Sequence, residues 1–504
     1  MTMHPDEVAT AAAAARTGND ASRWPNKLPV RARIALLLDE NSWTEDGLLA
    51  DAAGDGLPAD GVLTGVGTID GRSVAVIAHD FTVKAGSWGE LTCEKQIRIL
   101  ERAHRDLPVY YLVDSAGGRL TDQLGFFAGR RGAARIFQLQ VKLSGRVPQI
   151  CCLLGPSAAG GAYMPAFTDW VGMVEGNASM YLASPRIAEK VTGEHTTLED
   201  MGGATMHATV SGCADEVFEE DWQVIAAARL LLSYLPDSWR TRSPLAATVE
   251  PETAGWPEGL IPSDPNAAYD VLSVILRLVD AGSFFEIKAG WAQEMVTGFG
   301  RLGGCTIGIV ANQPSVRSGA IFVDSADKAA RFISWCDAFN IPLVFLQDVP
   351  GFMVGVVMER KGIIRHGAKM VTAMASAEVP KFTVVLRKAY AAGFYAMCAP
   401  GFEPRATLAL PTATIGTMSA EASVNAIYAN KIAAIEDPDE REAFVAERRA
   451  EQDADFNLLR MGSELVVDVV VQPENLRAEL LLRMRAADSW ERSVQQRHHV
   501  VSPV

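Results

Sequence analysis

The chain of 504 residues holds only seven cysteines, and no two of them form a Cys-x-x-Cys pair. That excludes a zinc ribbon or a thioredoxin-like centre. An odd number of thiols with an adjacent pair, Cys151-Cys152, points to reduced, mostly buried cysteines in a cytoplasmic protein. His79, His195, His207 and His366 are scattered and lack the His-Glu-x-x-His spacing of a metal site. Each reads as a hydrogen-bonded structural residue, and no metal is expected in this chain. No Gly-x-x-x-x-Gly-Lys-Ser/Thr occurs, so a phosphate loop for ATP is excluded. Positive charge is short as well: 46 Lys plus Arg stand against 61 Asp plus Glu, a formal charge of -15. A nucleic-acid binder normally shows a basic surface, so no nucleic-acid partner is expected. A local basic pocket for one anionic ligand stays compatible with that balance. The uncharged run 150–168 approaches membrane-span length, but Gly155-Pro156 and Gly160-Gly161 interrupt it. A strand, a glycine turn and a buried helix start explain it better than a membrane segment. Residues 1–29 lack the apolar stretch of a signal peptide and read as a frayed, alanine-rich tail.

What the chain does have is an internal repeat. VAVIAHD (74–80) matches IGIVANQ (307–313), each after a small turn, Asp70-Gly71 or Gly303-Gly304. Amphipathic helices follow, expected from Cys93 and from Asp324. Two apolar strands ending in Asp come next, LPVYYLVDSAGG (107–118) and IPLVFLQDVPGF (341–352). VPQICCLLGPSAAGGAYM (147–164) then matches VPKFTVVLRKAYAAGFYAM (379–397). The offset stays between 232 and 234 residues across all four elements, which points to duplication. Two homologous α/β domains are therefore expected, at 30–245 and 255–500, joined by the proline-rich stretch 243–265. Short apolar strands separated by helices imply parallel sheets, with ligands at the strand C-termini.

Glycine clusters sit at those strand ends. Gly160 and Gly161 follow the strand QICCLL, where unhindered N–H groups could bind an oxyanion. A tight packing turn needs glycine equally. The second copy favours the oxyanion reading, because Ala392 and Gly393 stand opposite Gly160 and Gly161. Two matched pairs of donors suit a carboxyl group moving between two carbonyl-like partners. Ser157 lacks the second glycine of Gly-x-Ser-x-Gly and reads as a turn residue, not a nucleophile.

The motifs DSAGGRLTDQ (114–123), GPSAAGGAYMPAFTD (155–169), VTGE with MGGATMH (191–207), SGAIFVDSADKAARFI (318–333), DVPGFMVG (348–355), GIIRHGAKM (362–370) and RKAYAAGFYAMC (387–398) together resemble the carboxyltransferase (β) subunit of biotin-dependent acyl-CoA carboxylases, the propionyl- and methylcrotonyl-CoA carboxylase β family. The resemblance implies an α/β fold of two tandem crotonase-like ββα spiral domains of the ClpP/crotonase superfold. It implies an acyl-CoA substrate on the N-terminal domain, and biotin, carried on a partner subunit, against the C-terminal domain of a neighbouring copy. Gly160 and Gly161 would hold the thioester enolate, and Ala392 and Gly393 the ureido oxygen of biotin. Ala116, Gly117, Gly118, Arg119, Tyr163 and Tyr395 would contact substrate; Pro350, Gly351, Phe352 and Tyr390 would contact biotin. The biotin group itself would take the α (or vinylogous γ) proton once CO2 has left, so no side-chain base is needed.

Departures from the family pattern bear on the substrate. Tyr395 occupies the acyl-selecting position, where propionyl and acetyl members carry Asp or Ile. Ala391 replaces a family glycine. AYAAGFY and GFEPR are nearer the methylcrotonyl and geranyl branch, DVPGF nearer the propionyl branch, and a branched or unsaturated short acyl chain is the leading expectation. Lys369, in Gly-Ala-Lys-Met, lacks the first Met of a biotin-attachment site, so a separate biotinylated α subunit is the expected partner, with a homo-hexamer as the assembly. Arg119, Arg130 and Arg131 are candidates for the CoA phosphates. Three other readings are open: a decarboxylase running the reaction backwards, a non-catalytic scaffold β subunit, and a ClpP-like serine peptidase using Ser157.

Overall fold

The computed structural model describes residues 5–253, 255–455, 458–488 and 499–503. The chain forms two compact units: unit 1 is 1–244 with 338–340 and 494–504, and unit 2 is 245–337 with 341–493.

In unit 1 the strands are β1 (Thr44–Asp46), β2 (Val62–Ile69), β3 (Arg72–His79), β4 (Val109–Ser115), β5 (Gln149–Ala158), β6 (Trp170–Val174), β7 (Ser179–Tyr181) and β8 (Glu216–Phe218). Their order is β1-β2-β3-β4-β5-β6-β8, with β7 on β5. In unit 2 they are β9 (Phe285–Ile287), β10 (Met295–Leu302), β11 (Cys305–Asn312), β12 (Leu343–Val349), β13 (Lys381–Tyr390), β14 (Ala406–Ala409), β15 (Thr414–Gly416) and β16 (Val469–Val470). The order there is β16-β14-β13-β12-β11-β10-β9, with β15 on β13.

Turn chemistry explains why each sheet starts antiparallel. Asp70 (φ 50°) and Gly71 (φ 77°) close the β2–β3 hairpin, and Gly303 (φ 62°) and Gly304 (φ 81°) close β10–β11. Two successive positive φ values are what a two-residue hairpin demands. From β3 and from β11 onward pairing is parallel, through crossover helices. Every residue of β4 and of β12 is buried, as strands covered on both faces must be.

The crossover helices run Glu90–Ala103 and Val323–Ala338, so the first starts three residues ahead of its expected position and the second one ahead. A hydroxyl explains both starts: Thr92 accepts the Gly89 N–H at 3.1 Å, and Ser325 accepts the Phe322 N–H at 2.7 Å. Cys93, Gln96, Ile97 and Leu100 then form the buried stripe of the first helix.

Both long central strands fork. The first half of β5 pairs with β6 and its last three residues with β7; β13 divides in the same way between β14 and β15. The register also shifts at one place in each unit, between Val113 and Ser115 on β4 and between Gln347 and Val349 on β12. This is the repeated ββα spiral that the resemblance implies, and it aims the ends of β5 and β13 away from the main sheet.

Two segments differ from expectation. The N-terminal stretch holds a helix, Pro5–Thr17, whose Ala15 carbonyl accepts from Arg31 at 3.2 Å. The alanine run read as a sign of fraying is in fact the strongest helix-forming composition in that stretch. The proline-rich connector is also held within unit 2. Arg387 donates to the carbonyls of Pro262, Asp264 and Ala267, and Lys388 to that of Pro265 at 2.8 Å.

Candidate active site

Each forked strand is followed at once by an alanine with positive φ, Ala159 (54°) in unit 1 and Ala391 (51°) in unit 2. A Cβ in that region costs about 1–2 kcal/mol, so the kink needs support from the surrounding fold. Ala391, where the family pattern has glycine, adopts the same bend as Ala159. The chain then enters a 3-10 turn, Ala159–Ala162, in unit 1 and a short helix, Ala391–Ala396, in unit 2. The first amides of such turns have no carbonyl of their own helix to bond. Gly160 and Ala392 are exposed at these corners, while Gly161 and Gly393 lie buried just behind them. Both helical pieces are so short that the dipole contributes little; the individual N–H groups are the usable feature.

Steric room differs between the corners. A Cβ on Gly160 would meet nothing within 4 Å, and one on Gly161 only Ser157 Oγ at 3.7 Å and Trp88 at 3.9 Å. On Gly393 it would lie 2.7 Å from Val349 and 2.9 Å from the Gly351 Cα. Glycine in unit 1 leaves open space for a ligand; Gly393 is demanded by packing.

The fold brings each corner against the loop after the neighbouring strand. Gly117 (φ 96°) lies against the Ala158 carbonyl, and Gly351 (φ 131°) against Tyr390 and Gly393. Matching backbone bonds hold both loops. The Trp88 N–H donates to the Gly117 carbonyl at 2.8 Å and the Trp88 carbonyl accepts from the Arg119 N–H at 2.8 Å; Ile321 does the same with Gly351 and Met353 at 3.0 and 2.8 Å. Thus Gly117 lies against Ala158, the residue before the first corner, and Gly351 against Tyr390, Ala391 and Gly393 at the second; Ala116 and Gly118, and Pro350 and Phe352, are their chain neighbours. Tyr163 is exposed and packs edge-on to Phe137 and stacked on Phe167, with centroids 6.3 and 6.1 Å away. Tyr395 is 56% exposed, beside Phe394.

Arg119 is held away from solvent anions: it is ion-paired with Asp60 and bonds the Asp60 carbonyl at 2.9 Å. Arg131 is paired with Glu94 and Glu101, and Arg130 is exposed. Ser157 is buried, and its hydroxyl donates to the Gly161 carbonyl at 2.9 Å. It lies inside β5, paired with Ser115 and Met180, and not in a turn as expected, because the strand runs on to Ala158 before the chain bends. Burial pushes the Cys151 and Cys152 thiols well above their usual value, which leaves neither a nucleophile.

Under each corner lies a buried aspartate at the end of the neighbouring strand. Asp114 takes Lys27 at 2.9 Å and Arg33 at 3.1 Å, and Arg33 also holds Asp221 at 2.7 Å. Burial pushes the Asp114 carboxyl up, opposed by Arg33 and Lys27. Asp348 takes Arg387 at 2.9 Å and Lys388 at 2.8 Å. Gly155 is needed here, since its Cβ would sit 1.9 Å from an Asp114 oxygen. His79, at the end of β3, accepts from the Trp88 indole N–H at 3.0 Å, and burial pulls its ring down to about 4. The indole in turn faces Gly161. Of these supporting groups His79 alone was named from the sequence, as a hydrogen-bonded structural residue, and it is one here. The aspartates were within reach, because both matched strands end in Asp; nothing local ties Lys27 or Arg33 to residue 114.

A family model described as a carboxyl transferase domain matches residues 23–501. An uncharacterized carboxylase, YngE, of Bacillus subtilis is 53% identical over 96% of this chain and 95% of its own length. The methylmalonyl-CoA carboxyltransferase 12S subunit of Propionibacterium freudenreichii is 41% identical over 90% of this chain and 87% of its own. The methylmalonyl-CoA decarboxylase subunit alpha of Propionigenium modestum is 37% identical over 90% and 89%. A solved hexameric transcarboxylase 12S structure, with methylmalonyl-coenzyme A and methylmalonic acid bound, matches with a TM-score of 0.90 at 38% identity, over 99% of this chain and 98% of that one.

Proposed function

This chain belongs to the carboxyl transferase domain family and is a carboxyltransferase of the acyl-CoA carboxylase type, and on that premise we propose that it moves a carboxyl group onto the α-carbon of a short-chain acyl-CoA. The observation that carries this reading is the duplicated corner: a positive-φ alanine followed by small residues at the start of a helical turn, at one place in each unit.

The Gly160–Gly161 corner receives the thioester oxygen as it becomes an enolate. Its open space and lack of side chains admit the acyl group, and its amides stabilise charge that develops only on the way to the product. Ala116–Arg119 borders the same mouth and Tyr163 offers an apolar ring beside it. The Ala392–Gly393 corner receives biotin. A neutral ureido carbonyl asks for amide donors and no cation, and that corner offers amides between small residues, with Pro350–Phe352 and Tyr390 alongside. When bound, biotin on its partner subunit supplies the activated carboxyl group. Tyr395 selects the acyl chain. The methylmalonyl-coenzyme A of the 12S structure supports a propionyl-type substrate over a methylcrotonyl-type one. A biotinylated α subunit is the partner, and a hexamer is the assembly, the latter in line with the hexameric 12S structure. The decarboxylase relative favours one second reading, the same half-reaction run in reverse.

The test is fixation of labelled bicarbonate by the chain co-purified with its biotinylated partner, over a panel of acyl-CoAs. Gly161→Val is expected to fold, because its Cβ has room, yet to lose about 100-fold in kcat as the donor is blocked. Near-normal turnover in that variant would refute the corner's role. Tyr395→Asp is expected to reorder the panel, and an unchanged ranking would remove Tyr395 from acyl selection.

A further inference from the structure

The motif GIIRHGAKM (362–370) holds a histidine to which the reaction itself gives no role. His366 lies on the helix Ile363–Ser376, and Asp327 on the crossover helix Val323–Ala338. Nδ1 of His366 is 2.7 Å from Oδ2 of Asp327, and the two side chains are only 14% and 12% exposed. A carboxylate only accepts, so Nδ1 carries the proton. Nε2 is 3.0 Å from a guanidinium nitrogen of Arg365, which only donates, so Nε2 is the acceptor of a neutral ring. Asp327 also takes Lys369 at 3.0 Å, but that side chain is half exposed. The His366–Asp327 bond is therefore the directional, nearly buried tie between the two helices.

Both helices also touch the loop after β12. Ile321, two residues ahead of the crossover helix, bonds Gly351 and Met353 through its backbone. Gly367, next to His366, is bare because a Cβ there would lie 2.9 Å from the Phe352 ring. The spacing of the helices thus fixes Phe352, and with it Gly351, which leaves no room for a side chain on Gly393. Unit 1 seats its loop the other way round. There Gly118 is bridged to Trp88 as Phe352 is to Ile321, and a Cβ on Gly118 would lie 2.2 Å from Phe126. The glycine is on the loop and the ring comes from outside it. The carboxylate matching Asp327 is Glu94, 233 residues earlier, and its partner is Arg131, both well exposed.

We infer that His366 is a positioning residue for the biotin side of the reaction: its Nδ1–H bond to Asp327 sets the spacing of the two helices that seat Pro350–Phe352 against Ala391 and Gly393. The imidazole touches no reacting group. It acts through Gly367 and Phe352, and loss of the bond lets the second helix drift from the first, so that Gly351 no longer lines the corner. Small misplacements of this kind are felt in binding and orientation before they are felt in folding. That biotin is what meets this loop rests on the proposed function; the clamp on the loop does not.

The test uses the full chain, with free biotin as acceptor and methylmalonyl-CoA as donor, alongside hydrogen exchange of residues 349–356. His366→Ala is expected to raise KM for biotin about tenfold and to leave KM for the CoA ester unchanged. His366→Asn, whose amide N–H can replace Nδ1–H, should stay within about threefold of the unmodified chain. Gly367→Ala favours the helix but pushes on Phe352, and should raise the biotin KM as His366→Ala does. It decides the matter even if His366→Ala fails to fold: an unchanged biotin KM overturns the link through Phe352. Equal rises in both KM values, or an Asn variant as impaired as the Ala variant, would reduce His366 to a general structural residue. Exchange at 349–356 should quicken in His366→Ala and not in His366→Asn, and unchanged exchange in both overturns the clamp. Faster exchange with an unchanged biotin KM overturns the link to biotin. An unmodified chain with no carboxyl transfer would sink the proposed function, and the exchange result would still decide the clamp.

Discussion

Units 1 and 2 carry the same corner on the same strand end, yet they support it with different side chains. In unit 1 the buried Asp114 is balanced by cations from far along the chain: Lys27 is 87 residues away and Arg33 is 81. In unit 2 Asp348 is balanced by Arg387 and Lys388, on the strand that leads into the corner itself. At the end of the preceding strand unit 1 has His79, bonded to Trp88; unit 2 has Asn312, which donates to the Gly319 carbonyl at 3.1 Å and accepts from Asp348 N–H at 3.3 Å. Duplication preserved the backbone route and let the polar partners diverge. The backbone geometry is what the chemistry needs; a buried carboxylate needs only some cation in reach.

Removing those cations gives the largest expected effect. Arg33→Met and Arg387→Met should each cost about 3–5 kcal/mol in urea denaturation, because a buried carboxylate loses a partner. Asp114→Asn added to the first should recover part of the loss. A cost below about 1 kcal/mol in either would mean the remaining lysine suffices and would erase the parallel between the units.

The histidine is the next difference to probe. His79 has its ring pulled down to about 4, against about 6.5 in an unfolded chain. The unfolded state therefore binds the extra proton between those values, so stability rises with pH across that window. It is fully present above about 6.5 and is lost as pH falls toward 4, a change of about 3 kcal/mol. His79→Asn, which installs the unit 2 residue, should flatten that part of the stability–pH curve. A slope that persists would assign it to other groups.

Smaller still is the packing contrast between the corners. Gly393→Ala should destabilise by about 1–3 kcal/mol, since its Cβ meets Val349 and the Gly351 backbone. Gly160→Ala should leave melting almost unchanged, since its Cβ meets nothing. Equal melting shifts would show that the two corners are packed alike after all.

Much of this was legible in the residues. Hairpin turns, fully buried strands and the constant offset mark the duplicated α/β plan, because each depends on neighbours within a few positions. The small residues at 160–161 and 392–393 stand out for the same reason. The helix Pro5–Thr17 was misjudged because an alanine run says how readily a helix forms, not whether something holds it in place. Arg119 looked available to a CoA phosphate, yet Asp60 takes it, 59 residues away.

The residue pattern by itself determined the repeat, the order of strands and helices, and the two turns where side chains give way to backbone. Tertiary structure alone decided which cation meets which carboxylate, and that Gly393 is packed while Gly160 faces open space. Local preferences act over a turn or a strand, whereas ion pairs and steric room depend on segments that meet only after the sheets have formed.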